Sequence, residues 1–416
     1  MESQLEQVHR KSMEQIDLFE DVLQAYAAAK TLSNNSLYKD IGQRCGIPSA
    51  AWSERKPIGE AKAPHNTLKR EVRWQQQTLR ALGLLERESR GVWRLTPKGE
   101  RKLTPAADGK VLLGFSTTLG IALWAKAGSV FPRLDEQISL VFSSLPYPLA
   151  KARDYGGPKE QEYVDWACTL LEPLIAQLVQ GGSLALNLGC DVFMPGSPAR
   201  STYNERLMLA LQDRFALSKM DTLIWSVPNR PPGPIAWASK GRQQLNAGYE
   251  NILWLTNDPM HVRSDNRRVL QPHSEMQLRL MAAGGERRES SYGDGAHRVK
   301  HGSYGRETAG SIPKNVLTMA HNCPHKRDLV ALARAAGLPV HGATMPLKLA
   351  KLVIEFLTEK DDLVADPCSG WLTTGQACEE TGRRYVLTEQ MGEYVLGGAL
   401  GFRMAPGFQS FGQVGV

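Results

Sequence analysis

The chain has 416 residues and 42% hydrophobic composition, enough for two or three domains with separate cores. The N-terminus is polar and no long apolar run occurs, so we expect no signal peptide, no membrane span and a cytoplasmic protein. The net charge of +7 is concentrated: residues 51–105 hold thirteen Lys/Arg against six Asp/Glu, the whole of the excess, as contact with a polyanion such as nucleic acid requires.

In chain order, Ile16, Phe19, Val22, Leu23 and Tyr26 recur at helical spacing and predict a helix over 14–31. A short helix at 38–45 follows, then a Pro/Lys/Ala loop, then a basic helix over 67–84 that stops at Gly83. Leu84–Glu88 and Val92–Thr96 flank Ser89-Arg90-Gly91 and predict a hairpin. This order is that of a winged helix-turn-helix, in which one helix enters the major groove and the wing touches phosphates; the same fold also serves protein contacts. Residues 104–110 read as a linker.

Beyond the linker, apolar strands alternate with amphipathic helices, which predicts an α/β layered fold. Ile138–Phe142 is a buried strand, and 163–178 a helix that Gly181-Gly182 ends. Strands at 183–188 and 222–225 flank a helix over 205–215. Residues 229–338 interrupt the pattern with a Pro-rich loop and a Gly/Ser/Arg/His-rich stretch at 284–310, expected to be mobile without a partner. Strands at 363–365 and 385–387, with helices at 345–357, 375–380 and 393–403, complete the chain. The six cysteines are scattered, as reduced thiols are, and His321-Asn322-Cys323-Pro324-His325 reads as a structural loop rather than a metal site.

Two turns carry the chemistry. After the first strand comes Ser144-Leu145-Pro146-Tyr147, which combines a short hydroxyl, a backbone carbonyl and an aromatic face. After the strand at 363–365 comes Asp366-Pro367-Cys368-Ser369-Gly370-Trp371-Leu372-Thr373-Thr374. Gly370 lets backbone approach a ligand, Thr373 and Thr374 are candidate caps of the next helix, and Asp366 is a candidate anchor. Glu389 ends the following strand, where an acid commonly accepts from ribose hydroxyls.

These motifs, in this order, resemble the beta-group DNA amino-methyltransferases of bacteria and phage, from about residue 112 to 403. Residues 198–204, 310–317, 341–346 and 357–364 are similar to the cytosine-N4 branch of the PvuII type. The resemblance implies a Rossmann-like, S-adenosylmethionine-dependent methyltransferase sheet with an inserted target-recognition region. It implies domains at 1–105 (winged helix), 111–228 (catalytic half), 229–338 (target recognition) and 339–416 (cofactor half). Ser144 and the Leu145 carbonyl would receive the target amine, Pro146 would shape the turn, and Tyr147 would stack on a flipped base. Asp366, Pro367, Cys368, Gly370, Thr373, Thr374, Glu389 and His341 would line the cofactor site. Arg70, Arg73, Arg80, Arg90, Arg200, Arg230, Arg287 and Arg288 are the candidate DNA contacts. Double-stranded DNA is the implied partner, with a restriction endonuclease as possible companion and monomer or homodimer left open.

The chain departs from the family at three places. Leu145 stands where Pro is usual, Trp371-Leu372 is expected to crowd the cofactor entrance, and no acid occurs in Leu123–Gly128. Ser144 leans toward N4 of cytosine as the target. Adenine N6, or a DNA-binding regulator that keeps the fold without the catalysis, are the competing expectations.

Overall fold

The computed structural model describes residues 21–22, 25–26, 28–58, 63–81, 84–96, 104–149, 156–293 and 295–410. Ile16, Phe19, Leu23 and Gly83 therefore lie outside the described residues, while Val22 and Tyr26 are buried.

The N-terminal part runs β1 (Thr31–Ser33), α1 (Asn34–Arg44), the ribbon β2 (Lys56–Ile58) and β3 (Ala63–His65), α2 (Thr67–Ala81), β4 (Leu85–Ser89) and β5 (Val92–Leu95). Strand β5 lies between β1 and β4, so the hairpin is tied back to the chain entering α1, as in a winged helix. Leu37, Ile41, Val72, Leu79, Leu85 and Trp93 form its core. Trp124 and Val395 of the next part join that core, so the winged helix is docked rather than tethered.

Further along come β6 (Val111–Ser116), β7 (Gly120–Ala125), β8 (Ile138–Ser143), α3 (Tyr163–Ile175), β9 (Leu178–Gly189) and α4 (Tyr203–Phe215). They are followed by β10 (Ser218–Ser226), β11 (Tyr249–Thr256), α5 (Glu275–Ala282), the hairpin β12 (Ser290–Tyr292) and β13 (His297–Val299), and β14 (Val316–Thr318). The chain closes with α6 (Pro324–Ala335), α7 (Leu347–Leu357), β15 (Leu363–Asp366), α8 (Thr373–Thr381), β16 (Arg384–Glu389), α9 (Gly392–Ala399) and β17 (Gln409–Ser410).

One ten-stranded sheet takes the order β14-β10-β11-β9-β8-β15-β16-β7-β6-β17. Its centre, β9-β8-β15-β16-β7, is parallel. Strands β8 and β15 are wholly buried because helices cover both faces, the situation that permits unbroken apolar strands. Leu140 and Phe142 of β8 pack with Val353 and Ile354 of α7, while Val141 packs with Leu171 of α3. Strand β15 pairs with β8 on one side and β16 on the other, so residues far apart in the chain end side by side. Such a switch in strand order leaves a crevice at the carboxyl ends of the strands.

Two local expectations are corrected. Helix α3 ends at Ile175 and extended chain resumes at Leu178, so Gly181-Gly182 lies inside β9 rather than ending the helix. Gly181 has φ +71°, and a Cβ there would sit 1.8 Å from the His261 carbonyl oxygen, so the pair makes room for a crossing loop. The 284–310 stretch contains the β12–β13 hairpin. Gly285 has φ +93° and its Cβ position lies 2.4 Å from the Gly302 carbonyl oxygen. Close backbone approach explains this glycine in physical terms.

Candidate active site

The two motif turns open at the switch point onto one cavity of about 1030 Å³. Ser144, Leu145, Pro146 and Tyr147 leave the end of β8, and Asp366, Pro367, Cys368 and Gly370 leave the end of β15. Thr373, Thr374, Glu389 and His341 complete the predicted set, and every one of these residues lines the cavity.

A clip joins the turns. Ser143 Oγ donates to Asp366 Oδ1 at 2.7 Å, Thr374 Oγ1 to Oδ2 at 2.6 Å, and the Cys368 amide to Oδ1 at 3.1 Å. Burial pushes the Asp366 carboxyl up to about 6, against the pull of these donors. Thr374 therefore does not cap α8. The cap position is Leu372, in the left-handed region at φ 62° with no side-chain bond.

At the other end, Glu389 accepts from the amides of Gly370 and Met391, each at 2.8 Å. Burial raises its carboxyl to about 7. A carboxylate has about four acceptor positions, so acceptor capacity remains beside these backbone donors. Gly370 has φ +52°, and a Cβ there would lie 3.2 Å from His341 Nε2. His341 in turn packs edge-on against Tyr394 with centroids 4.5 Å apart. A bare backbone turn beside a two-oxygen acceptor suits the diol and ring of a nucleoside, so these residues fit an adenosine-bearing cofactor.

Trp371 lines the cavity, with its side chain turned into the protein core. It is 1% exposed and packed among Leu329, Met391, Tyr394 and Leu400. In the stretch 123–128, which lacks an acid, Lys126 pairs with Asp108 at 2.5 Å, and both residues line the cavity.

Around the first turn, the Tyr147 ring lies against Gly189, where a Cβ would come within 2.8 Å of it. Tyr147 Oη donates to Glu250 Oε2 at 3.0 Å and lies 3.3 Å from Ser144 Oγ. Burial, then the Glu250 charge, raises the phenol well above its ordinary value, so it stays a donor. Asn187 Nδ2 reaches Ser144 Oγ at 3.3 Å, Tyr147 Oη at 3.0 Å and Glu250 Oε2 at 2.9 Å.

The DNA methylase family model of N6 and N4 methyltransferases matches residues 138–398, well over half the chain. The chain belongs to this family. The Mrr N-terminal domain model matches residues 17–104. The type II methyltransferase M.PvuII of Proteus hauseri is 31% identical over 268 residues, 64% of this chain and 79% of that protein. M.BglII of Bacillus subtilis is 23% identical over 265 residues, 63% of this chain and 62% of that protein. The solved PvuII DNA methyltransferase (cytosine-N4-specific) superposes with a TM-score of 0.54 at 26% identity, over 69% of this chain and 87% of that one.

As a DNA methylase the protein acts on DNA and uses S-adenosylmethionine as methyl donor. Among the described residues no helix is long and apolar enough to cross a membrane. Of the arginines expected on DNA, Arg70, Arg73 and Arg80 are exposed on α2 and Arg90 is exposed at the hairpin tip. Arg287 and Arg288 are exposed ahead of β12. Two are committed elsewhere. Arg230 lines the cavity and pairs with Asp191 at 3.0 Å and Glu250 at 3.4 Å. Arg200 donates to the Cys190 carbonyl and lies 4.9 Å from the Phe193 ring centre. Sequence reasoning missed Asn187 and Glu250. Asn187 stands out as an amide inside the apolar run Leu184–Leu188, a signal the alternation pattern offered. Glu250 precedes its strand's apolar core and offers none.

Proposed function

We propose that this DNA methylase transfers a methyl group to N4 of cytosine in a duplex site read by residues 229–338. What carries the proposal is the meeting of Ser144–Tyr147 and Asp366–Gly370 on one cavity, in a chain 31% identical to M.PvuII, whose solved counterpart is described as cytosine-N4-specific.

When bound, S-adenosylmethionine would supply an electrophilic methyl on a sulfonium, with a neutral thioether as leaving group. Glu389, Gly370 and His341 hold the nucleoside end, and the clip at Asp366 fixes the two turns relative to each other. Tyr147, backed by Gly189, offers its other face to the flipped base; stacking contributes roughly 1–3 kcal/mol and offsets a few kcal/mol of extrusion. Ser144 Oγ and the Leu145 carbonyl accept from the amine and favour a more tetrahedral nitrogen aimed at the methyl. Positioning and electrostatics supply the acceleration.

The exposed arginines of α2 and the hairpin support a winged helix that grips DNA phosphates beside the catalytic part. Both curated relatives are type II methyltransferases, which supports a companion endonuclease and a cytoplasmic setting.

The test is nucleoside mass spectrometry of DNA from a methylation-free host expressing the chain, beside a Tyr147→Ala control. N4-methylcytosine that disappears in the control is the expected result. N6-methyladenine overturns the base assignment, and no methylated base from soluble protein overturns the enzyme.

A further inference from the structure

Transfer to the amine leaves one proton to be placed. The N–C bond forms on a nitrogen that still carries two protons, and the product keeps one. The hydroxyls beside the amine lead to a carboxylate. Ser144 Oγ lies 3.3 Å from Tyr147 Oη, and Tyr147 Oη donates to Glu250 Oε2 at 3.0 Å. Asn187 Nδ2 bonds all three groups and holds them in one cluster.

Glu250 comes from β11, outside both motif turns, and lines the cavity. Its Oε1 faces Arg230 at 3.4 Å, and Arg230 is already paired with Asp191 at 3.0 Å. A purely structural ion pair would be complete with Arg230 and Asp191. The second oxygen of Glu250 is instead spent on a phenol hydroxyl at the reacting end. The titratable and charged groups facing Glu250 are Tyr147, Arg230, Asp191, Cys190, Tyr203 and His321. Among the described residues, Tyr147 and Asn187 link it to Ser144, and only Tyr147 can pass a proton.

We propose, resting on the DNA methylase reading above, that Glu250 is a positioning residue for the transfer: it orients the Tyr147 and Ser144 hydroxyls and receives through them the proton the amine loses. The amine proton passes to Ser144 Oγ as the Ser144 hydroxyl proton passes to Tyr147 Oη and the Tyr147 proton passes to Glu250 Oε2. Each hydroxyl gains one proton and gives one, and Glu250 ends neutral until solvent resets it.

Single-turnover transfer of tritiated methyl into unmethylated bacterial chromosomal DNA, at neutral pH and saturating S-adenosylmethionine, tests this. Glu250→Gln should lower the rate on the order of 100-fold. Glu250→Asp should restore part of the rate, and S-adenosylhomocysteine affinity by calorimetry should match the parent in both. Tyr147→Phe, which keeps the ring and removes only the link, should lower the rate as Glu250→Gln does, and the double variant should be little slower than either. A Glu250→Gln enzyme within twofold of the parent overturns the proposal. So does a Tyr147→Phe enzyme within twofold of the parent, even if Glu250→Gln proves unstable. A parent that leaves no methyl on DNA brings down the underlying reading instead.

Discussion

Glu389 shows how one residue links the fold to ligand binding. Its carboxyl is raised from 4.5 to about 7 because burial costs the charged form more than the backbone donors of Met391, Gly370 and Gln390 return. A raised acid favours folding fully below its ordinary value, and that contribution is lost as pH rises through about 7. Cofactor binding runs the other way. If ribose hydroxyls donate to the carboxylate, binding selects the ionised form and weakens as Glu389 takes a proton. One linked proton at a value of about 7 predicts roughly tenfold weaker S-adenosylhomocysteine binding at pH 6 than at pH 8. Calorimetry across that range should show the slope, and Glu389→Gln should flatten it. A parental affinity that does not change with pH would mean the carboxylate does not meet the hydroxyls. Glu389 was singled out in the sequence because it and Asp366 end successive strands with a glycine turn between them. Glu250 was not, since its role depends on β11 lying next to β9, and that pairing leaves no trace in local spacing.

Among the elements, α8 teaches the same lesson about local signals. Two threonines opening a helix look like caps, yet Thr374 gives its hydroxyl to Asp366 and the helix starts from a left-handed Leu372. A buried carboxyl with a raised value needs that donor more than a helix end with other partners does. Gly181-Gly182 misled for a related reason: a glycine pair marks a helix stop and a crowded crossing equally well, and only the loop at His261 decides between them. Strands β8 and β15 were read correctly because a parallel strand buried on both faces must be continuously apolar, whatever it pairs with, whereas β7 and β11 were missed. Thr374→Val keeps the shape of α8 and removes the donor. Leaving one oxygen of a buried acid unsatisfied should cost roughly 1–3 kcal/mol. Urea unfolding should move to lower concentration by that amount at neutral pH. The loss should shrink on the acid side of about 6, where Asp366 is neutral and demands less of its partners. An unchanged midpoint would show that the clip does not stabilise the fold.

In the whole molecule, the winged helix and the cofactor site share a seam. The linker amide of Ala106 donates to the Gln390 carbonyl at 2.7 Å, and Thr104 Oγ1 donates to Glu393 at 2.6 Å. Both contacts fall just after Glu389, so the basic N-terminal part is held at a fixed place beside the catalytic cavity. Charge then decides what that placement is for. The segment 51–105 carries the entire formal excess, and Arg70, Arg73 and Arg80 stand exposed on α2. If these three guanidinium groups sit on DNA phosphates while Ser144–Tyr147 holds the base, each releases counterions on binding. The slope of log affinity against log salt should then become shallower by about 0.9 for each contact removed, or roughly 2–3 units in a triple alanine variant. Methylation rate at saturating DNA should stay near the parental value, because none of the three lines the cavity. Binding titrations at several salt concentrations separate the possibilities. A shallower slope with uniform weakening across sequences assigns α2 to phosphates. A loss confined to certain sequences would instead mean that α2 reads bases. An unchanged slope would remove the α2 face from the DNA interface and leave the protein contacts that winged helices also make.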